Sequence, residues 1–254
     1  GYSLEAIATM TRNKYIFGAQ NGPYRNSYDK WRNDNLNRRY QGQQFGFVSD
    51  GRFMDWNDTR TYPIYTERDQ LPGDYKYLDW NGDGEISGLD EHPFAFDQTP
   101  WMNYSMYIQA NYKNFDLAML FQGSALGSMQ YQEPLYSIWG SNGGGTLTQF
   151  LDRWHPLDPT ADPYDPSIEW VRGHYGYTGR YPRPNSEFNR VSTAYLRLKS
   201  LEVGYTLPAF ARYPNMRLRV FANTYNAVTI TAGKFVDPEH PDSDLGRKYP
   251  SNKT

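Results

Sequence analysis

The sequence predicts an all-β fold, and three observations lead to this prediction. Aromatic residues make up 17% of the 254 residues, with 23 tyrosines, and the mean hydropathy is -0.83, so little aliphatic core is expected. Several segments alternate apolar and polar residues with the period of two that a β-strand requires. The longest apolar run, residues 117–121, is far shorter than the ~20 residues of a membrane helix. These features are typical of a sugar-binding β protein or of a transmembrane β-barrel.

Composition argues against several classes of function. The net charge is -2, and without a basic stripe we expect no nucleic-acid binding. Cysteine is absent, which removes disulfides, zinc thiolates and cysteine nucleophiles. The four histidines are scattered and no serine-hydrolase elbow occurs, so we predict that the protein is not an enzyme. No signal-peptide pattern begins the chain, and a processed or partial chain is expected.

The first predicted strand covers residues 2–10, where Leu4, Ala6 and Ala8 share one face. Residues 12–71 then form a polar, aromatic-rich region that is too long for a structureless loop in a compact domain. This region is expected to fold above a scaffold or to contain short strands. Its best candidate strand is residues 44–53.

The clearest hairpin covers residues 104–122. Even-numbered residues are apolar up to Tyr112, and after Lys113 and Asn114 the odd-numbered residues are apolar up to Phe121. One face of the hairpin is therefore apolar and the other largely polar. In a soluble sandwich the apolar face would point into a core, whereas in a porin-like barrel it would face lipid. Periodicity alone leaves both arrangements open.

A long strand is predicted over residues 195–207, but its apolar side changes partway. The leucines at 196 and 198 occupy one face, and the apolar residues from 201 to 207 occupy the other. A β-bulge near Lys199 and Ser200 would bring both sets to one face. The alternative is that the strand leaves a membrane band partway. Residues 217–223 alternate as well and form the last predicted strand.

Residues 123–193 resemble a long loop, with a triple glycine and many prolines. Recognition on a β scaffold is usually carried by such loops, so its aromatic residues are candidate ligand contacts. The alternative is that they pack the loop against itself, because a large loop needs internal packing to be ordered. The candidate ligand-binding residues are Trp139, Trp154, Trp170, Tyr175 and Tyr177.

Residues 79–90 have the spacing of a calcium loop. Oxygen-bearing side chains stand at positions 1, 3 and 5, a glycine stands at position 6 and an apolar residue at position 8. The predicted Ca²⁺ ligands are Asp79, Asn81, Asp83, the backbone carbonyl of Glu85, and Asp90. Position 12 is Asp90 rather than the longer Glu, and Glu91 is a possible substitute. No helical pattern flanks the loop, which argues against an EF-hand. The alternative is a turn that holds itself by side-chain to backbone hydrogen bonds without metal.

Five segments in order resemble the SusC/RagA family of TonB-dependent outer-membrane transporters. They are residues 26–33 (NSYDKWRN), 45–53 (FGFVSDGRF), 72–84 (PGDYKYLDWNGDG), 114–124 (NFDLAMLFQGS) and 194–208 (AYLRLKSLEVGYTLP). The resemblance spans nearly the whole chain. It implies that residues 1–254 are the C-terminal part of one barrel domain of about 22 strands, with the plug, the earlier strands and the final strand outside this sequence.

The resemblance also implies a function and partners. It implies import of an oligosaccharide or a peptide across the outer membrane of a Gram-negative bacterium. The implied partners are a SusD-like surface lipoprotein, which forms a lid on the barrel, and TonB, which acts through the absent N-terminal part. The alternative is a secreted, calcium-stabilised carbohydrate-binding β-module. A barrel wall would expose Met106, Ile108, Leu117, Met119, Leu218 and Val220 to lipid, whereas a sandwich would bury them between two sheets.

Overall fold

A computed structural model describes residues 1–18, 23–24, 26–28, 30, 38–65, 70–131, 147–177, 185–208, 216–233 and 237–239. The strands in the described part are β1 (Tyr2–Met10), β2 (Gln44–Gly46), β3 (Ser49–Arg52), β4 (Tyr75–Tyr77), β5 (His92–Ala95), β6 (Met102–Tyr112), β7 (Phe115–Ala125), β8 (Ser128–Gln130), β9 (His155–Pro156), β10 (Trp170–Val171), β11 (Arg190–Ser192), β12 (Tyr195–Thr206) and β13 (Arg219–Thr231). The described elements also include the α-helix α1 (Trp56–Thr61) and the short 3-10 turns Gly88–Asp90, Thr148–Leu151 and Glu187–Asn189.

The five long strands form one antiparallel sheet in the order β1-β6-β7-β12-β13. Strands β6 and β7 are joined by only two residues, Lys113 and Asn114, and Lys113 adopts the left-handed backbone of a tight hairpin. At the opposite end of the sheet, two long connections, residues 11–101 and 126–194, join neighbouring long strands. The sheet therefore has a short-turn end and a long-loop end.

One face of this sheet is apolar, as the sequence predicts. In the register of β6 with β7, Met106 lies opposite Phe121 and Ile108 lies opposite Met119, so their side chains share a face. None of the six residues predicted to face lipid is buried. Leu218 and Val220 are 42% and 59% exposed, and the other four, near the centre of the sheet, are half-buried.

A β-bulge at Lys199 confirms the predicted change of parity. Leu198 pairs with Phe121 and Ser200 pairs with Leu120, so Lys199 is an extra residue with no partner on β7. Beyond the bulge, Leu201 lies opposite Met119. The two sets of apolar residues on β12 consequently share the apolar face.

Tyr104 stabilises that face across three strands. Its ring lies over Gly123, where a Cβ atom would come within 2.4 Å of the tyrosine ring. Its hydroxyl donates a hydrogen bond of 2.7 Å to the carbonyl oxygen of Tyr195 on β12. A glycine is required here because any side chain at position 123 would displace the ring.

The buried core lies in the long connections rather than in the sheet. Phe47, Tyr77 and Ile86 form a buried cluster, against which Tyr65, Tyr75 and Phe188 pack. Phe53, Leu71, Phe150 and Trp154 are also buried. We call this folded region the loop cap. Its strands are short and pair two by two: β2 with β5, β3 with β4, β8 with β11 and β9 with β10.

The loop cap differs from the sequence prediction in two respects. The single strand predicted over residues 44–53 is two strands, β2 and β3, which pair with different partners. Helix α1 is not predicted, because six residues are too few for a helical period to appear. It begins at Asp55, whose carboxylate accepts the backbone N–H of Asp58 at 2.8 Å. None of the helices in the described part of the chain has the length and apolarity needed to cross a membrane.

Candidate functional site

The polar face of the sheet carries a network of charges. Arg219 on β13 contacts Glu202 on β12 with its Nη2 atom at 2.6 Å, and its Nε atom lies 3.1 Å from an oxygen of Asp116 on β7. One cation therefore joins three strands. All three side chains are partly exposed, so solvent screens this network and its contribution to stability is small.

A second network on the polar face holds the segment 237–239 against β12. Arg197 is 2% exposed, and its two terminal nitrogens contact the carboxylates of Asp237 and Glu239. Its Nε atom donates to the hydroxyl of Thr229 at 3.0 Å. Lys199, displaced at the bulge, contacts Glu239 at 2.6 Å. A buried guanidinium needs this complete set of partners because an unpaired buried charge is strongly destabilising.

The loop predicted to bind calcium is closed by its own hydrogen bonds. The two oxygens of Asp79 accept the backbone N–H groups of Gly82 at 2.7 Å and Gly84 at 2.8 Å. Both glycines adopt the left-handed backbone that this turn requires. Asp83 accepts the backbone N–H of Glu85 at 2.9 Å. Asp79 and Asp83 keep further oxygen lone pairs, which a hard cation could use.

Asp90, predicted to complete the ligand set, fastens the loop. It is 1% exposed, and its carboxylate accepts the backbone N–H groups of Trp80, Asn81 and Ser87 at 2.9, 3.3 and 2.7 Å. Ile86, the apolar residue at position 8, is buried in the core of the loop cap. The donors are all oxygen, as calcium prefers. The described residues contain no group of three or more acidic, histidine or cysteine side chains arranged to hold a metal ion.

The candidate ligand-binding aromatics fall into two groups. Trp154 is 3% exposed and packs on Gly73, and its backbone N–H donates to the carbonyl of Tyr175 at 2.8 Å. Tyr175 packs edge-on against Phe150, with ring centroids 4.6 Å apart. Trp170 and Tyr177 form a separate, half-buried pair with centroids 5.3 Å apart. Trp139 lies outside the described residues.

Arg52, which sequence reasoning does not select, joins distant parts of the loop cap. Its guanidinium donates to the carbonyl of Gly73 at 2.9 Å and to the carbonyl of His174. It also lies 4.4 Å from the ring centroid of Tyr75 and 5.6 Å from that of Phe188. Burial raises the pKa of Tyr75, and the Arg52 charge opposes that shift. No local pattern in the sequence marks Arg52, because its partners are far apart in the chain.

A nearby ion pair fastens helix α1 to β4. Lys76 contacts Asp58 at 2.9 Å, and its ammonium lies 4.0 Å from the ring centroid of Tyr62. Burial alone would raise the pKa of Asp58, but hydrogen bonds from Lys76 and from the backbone of Met54 lower it. The loop cap is therefore braced by contacts between cations and aromatic rings as well as by its small core.

The two faces and the two ends of the five-stranded sheet define the class of protein to which the chain belongs. An antiparallel sheet with one exposed apolar face, one charged face, a two-residue turn at one end and long folded loops at the other is a segment of transmembrane β-barrel wall. The described strands do not close into a barrel.

Comparison with known proteins agrees with this class. No protein-family model matches the sequence. The chain is 30% identical over 173 residues to TonB-dependent receptor P3 of Formosa agariphila, covering 67% of this chain and 16% of that protein. It is 29% identical over 181 residues to TonB-dependent receptor P26 of the same organism, covering 70% of this chain and 17% of that protein. The chain thus spans less than a fifth of the length of these curated relatives.

A solved structure supports the fold. The RagAB peptide importer in its open-open state superposes with a TM-score of 0.51 at 18% identity, covering 94% of this chain and 24% of that chain. The predicted resemblance to the SusC/RagA family of TonB-dependent transporters is confirmed by these relatives, and the predicted barrel fold is confirmed with it.

Proposed function

We propose that this chain forms barrel wall and external loops of a TonB-dependent transporter that imports an oligosaccharide or a peptide across the outer membrane. The observation that carries the proposal is the contrast between the two faces of the five-stranded sheet. The apolar face fits a lipid environment, and the charged face, with Arg197 and Arg219, fits a water-filled lumen.

Strand length and connection length support the same arrangement. Strands β6 and β7 have 11 residues each, which matches the ~9–11 residues of a tilted membrane-spanning strand. Outer-membrane barrels have short periplasmic turns and long extracellular loops. The turn at Lys113 and Asn114 is therefore assigned to the periplasm, and the loop cap is assigned to the cell exterior.

The partners belong to the same proposal. A SusD-like surface lipoprotein would contact the loop cap, because the loop cap is the folded part at the external end of the wall. TonB would act on a part of the receptor outside this chain, which spans only 16% of the relative P3. Both curated relatives are named as receptors, and we propose transport rather than catalysis.

The alternative, a secreted calcium-stabilised carbohydrate-binding module, explains the Asp79 loop and the aromatic loops. It explains the sheet poorly, because a soluble sandwich would cover its apolar face. Leu4 is 62% exposed, Val220 is 59% exposed and Ile230 is 66% exposed, all on that face. Exposed apolar surface of this extent indicates contact with membrane or another protein.

A cysteine-labelling experiment tests the proposed orientation. These 254 residues contain no cysteine, so in a receptor whose other cysteines, if any, are replaced, a single introduced thiol reports its own position. In the full-length receptor, Leu151→Cys lies in the loop cap and Asn114→Cys lies in the short turn. Whole cells treated with a membrane-impermeant maleimide should label the first and not the second. Permeabilising the outer membrane should then label both. Labelling of Asn114→Cys in intact cells would overturn the orientation.

A growth experiment tests the transported substrate. A strain lacking the full-length receptor should lose growth on one class of nutrient, either oligosaccharides or peptides, and should keep growth on the corresponding monomers. Complementation with the wild-type receptor should restore growth, and a receptor lacking its TonB-binding segment should not. Unchanged growth on both classes would contradict the proposed import function.

Calcium at the Asp79 loop is a second proposal, and it rests on the spacing of oxygen donors. The loop joins two parts of the loop cap, because Ile86 packs with Phe47 and Tyr77. Asp79, Asp83 and Glu85 lie close together in sequence on an exposed turn, and a cation would offset their mutual repulsion. The role we propose for the ion is structural.

A further inference from the structure

The external rim of the barrel wall carries a group of cations and aromatic rings just beyond the end of β1. The guanidinium carbon of Arg12 lies 5.0 Å from the ring centroid of Tyr40 and 5.9 Å from that of Trp101. The ammonium of Lys14 lies 5.7 Å from the same tyrosine ring. The backbone N–H of Arg38 donates to the carbonyl of Tyr15, the residue after Lys14, at 2.8 Å, so the backbone of Arg38 lies beside this group. We call Arg12, Lys14, Arg38, Tyr40 and Trp101 the rim cluster.

The position of the rim cluster is fixed by the sheet. The backbone N–H of Thr11 donates to the carbonyl of Trp101 at 2.8 Å, which closes the ladder between β1 and β6 at the long-loop end. Met10, the last residue of β1, belongs to the apolar face, and Arg12 and Lys14 follow it two and four residues later in the chain. The rim cluster therefore stands where the apolar band of the wall gives way to polar surroundings.

The cations of the rim cluster are not neutralised within the described part of the chain. Arg12, Lys14 and Arg38 are exposed, and none of them forms a salt bridge there. Cations stacked on aromatic rings are held in place without losing their charge. The rim cluster thus presents a fixed positive charge that has no salt-bridge partner among the described residues.

Two consecutive apolar residues adjoin these cations. Ile16 is 85% exposed and Phe17 is 82% exposed, directly after Lys14 and Tyr15. Large apolar side chains beside unpaired cations are typical of a segment at a membrane interface, where the apolar groups enter the acyl region and the cations reach the headgroups. Water alone would favour the exposed cations but not the two exposed apolar side chains.

We infer that the rim cluster binds the phosphate group of an outer-leaflet lipid, with Ile16 and Phe17 inserted beside its acyl chains. The inference rests on the proposed outer-membrane location. Guanidinium and ammonium groups form charge-assisted hydrogen bonds with phosphate, and aromatic residues occupy the same level in barrel girdles. Such a contact would fix this edge of the wall at a defined depth in the bilayer.

Native mass spectrometry of the full-length receptor in detergent tests the inference. The probes are phosphatidic acid and phosphatidylcholine with the same acyl chains. The wild-type receptor should retain phosphatidic acid in preference. The double variant Arg12→Gln, Lys14→Gln should bind phosphatidic acid on the order of thirtyfold more weakly, about fivefold for each charge near the membrane surface. Its affinity for phosphatidylcholine should not change.

The chain offers a matched control. Lys113→Gln with Arg217→Gln also removes one lysine and one arginine, both exposed, but at the short-turn end of the wall. This control should bind phosphatidic acid as the wild type does. An equal loss in the control would show that total charge, not the rim cluster, determines lipid binding, and would overturn the inference.

Three further outcomes test lipid binding at the rim cluster separately from the proposed transport function. A wild-type receptor with no preference for phosphatidic acid overturns it without reference to any variant. Displacement of the lipid by equimolar inorganic phosphate would show a site for free phosphate and overturn the lipid assignment. The two cysteine variants could label as expected while Arg12→Gln with Lys14→Gln binds phosphatidic acid as the wild type does. That result would overturn the lipid site and leave the proposed function standing. Heat-modifiable gel mobility confirms that each variant is folded.

Discussion

Arg219 reaches across Gly204 to the carboxylate of Asp116, which lies on the second strand away. The Nε atom of Arg219 is 3.1 Å from Asp116 Oδ1, and β12 lies between the two residues. A Cβ atom at position 204 would come within 2.4 Å of Arg219 Nη2 and 2.5 Å of an Asp116 oxygen. Because Gly204 has no side chain, Arg219 can reach Asp116 across β12. The ion pair on the polar face therefore depends on the glycine that lies between its two partners.

The first prediction follows from this close approach. Gly204→Ala should destabilise the full-length receptor by about 0–1 kcal/mol, because the added methyl group only pushes aside the flexible ends of an exposed ion pair. Asp116→Asn should cost a similar amount, because it removes one charge of the same exposed pair. Unfolding by urea in detergent micelles measures both. The control is Gly88→Ala, where a Cβ atom would contact nothing within 4 Å. Equal losses for Gly204→Ala and Gly88→Ala would contradict the steric argument.

The second prediction concerns the buried charge of Arg197. Asp237→Asn with Glu239→Gln leaves the guanidinium without a counter-ion and should destabilise the receptor by about 3–5 kcal/mol. Adding Arg197→Met should recover much of that loss, because no charge is then buried. Urea unfolding of the wild type, of Arg197→Met alone, of Asp237→Asn with Glu239→Gln, and of all three changes together forms a double-mutant cycle. If the loss stayed the same after Arg197→Met, the segment 237–239 would not depend on this ion pair for its position.

The wall of the barrel is predictable from sequence because its two faces meet different environments. Residues 104–122 keep one face apolar throughout, and the structure places Met106 opposite Phe121 as that pattern requires. The bulge at Lys199 is predictable for the same reason, since leucines on both sides of it must reach one apolar face. The strand predicted over residues 217–223 is found, but it extends to Thr231. Its second half alternates less clearly because threonines and asparagines stand on both faces.

The loop cap is less predictable because its order comes from contacts between distant residues. Trp154 is buried against Gly73, and Arg52 joins Gly73 to His174, although nothing near either residue in the sequence indicates the partner. The spacing of the Asp79 loop predicts its turn and an apolar residue at position 8, and the structure shows that this residue, Ile86, is buried. The spacing of residues in the loop does not predict that the Asp90 carboxylate accepts hydrogen bonds from three backbone N–H groups.

The third prediction separates structural from ligand-binding aromatics. Trp154→Ala removes a buried ring and should destabilise the loop cap by about 3–5 kcal/mol, which faster limited proteolysis of the external loops would report. Trp170→Ala, at the half-buried pair with Tyr177, should leave proteolysis nearly unchanged and reduce uptake of the nutrient identified by growth. Normal uptake in Trp170→Ala would show that this pair does not contact the substrate.

The fourth prediction tests calcium binding by the loop. Isothermal titration of the full-length receptor with Ca²⁺ should give heat for the wild type and none for Asp83→Ala. Ligand distances of about 2.3–2.6 Å are expected for the bound ion. Asp162→Ala is the matched control, because Asp162 is an exposed aspartate in the loop cap whose carboxylate likewise accepts a backbone N–H two residues ahead. Equal heats for Asp83→Ala and the wild type would mean that the loop holds no metal.

The last prediction joins the loop to transport. Asp79→Ala with Asp83→Ala removes the acceptors of the Gly82, Gly84 and Glu85 N–H groups and should loosen the loop. The disturbance would reach the core of the loop cap through Ile86, which packs on Phe47 and Tyr77. We expect weaker association with the proposed surface lipoprotein and lower uptake of the proposed nutrient.

Barrel assembly should be unaffected by the same double variant, because membrane strands are stabilised by ladder hydrogen bonds and by burial in the bilayer, to which an external loop adds nothing. Co-purification of the lipoprotein measures the association, and heat-modifiable gel mobility measures assembly. A variant that fails to assemble would place the loop in the folding core of the barrel. If lipoprotein association and nutrient uptake both stayed normal in the double variant, the loop would have no part in transport, because transport would then proceed with a loosened loop.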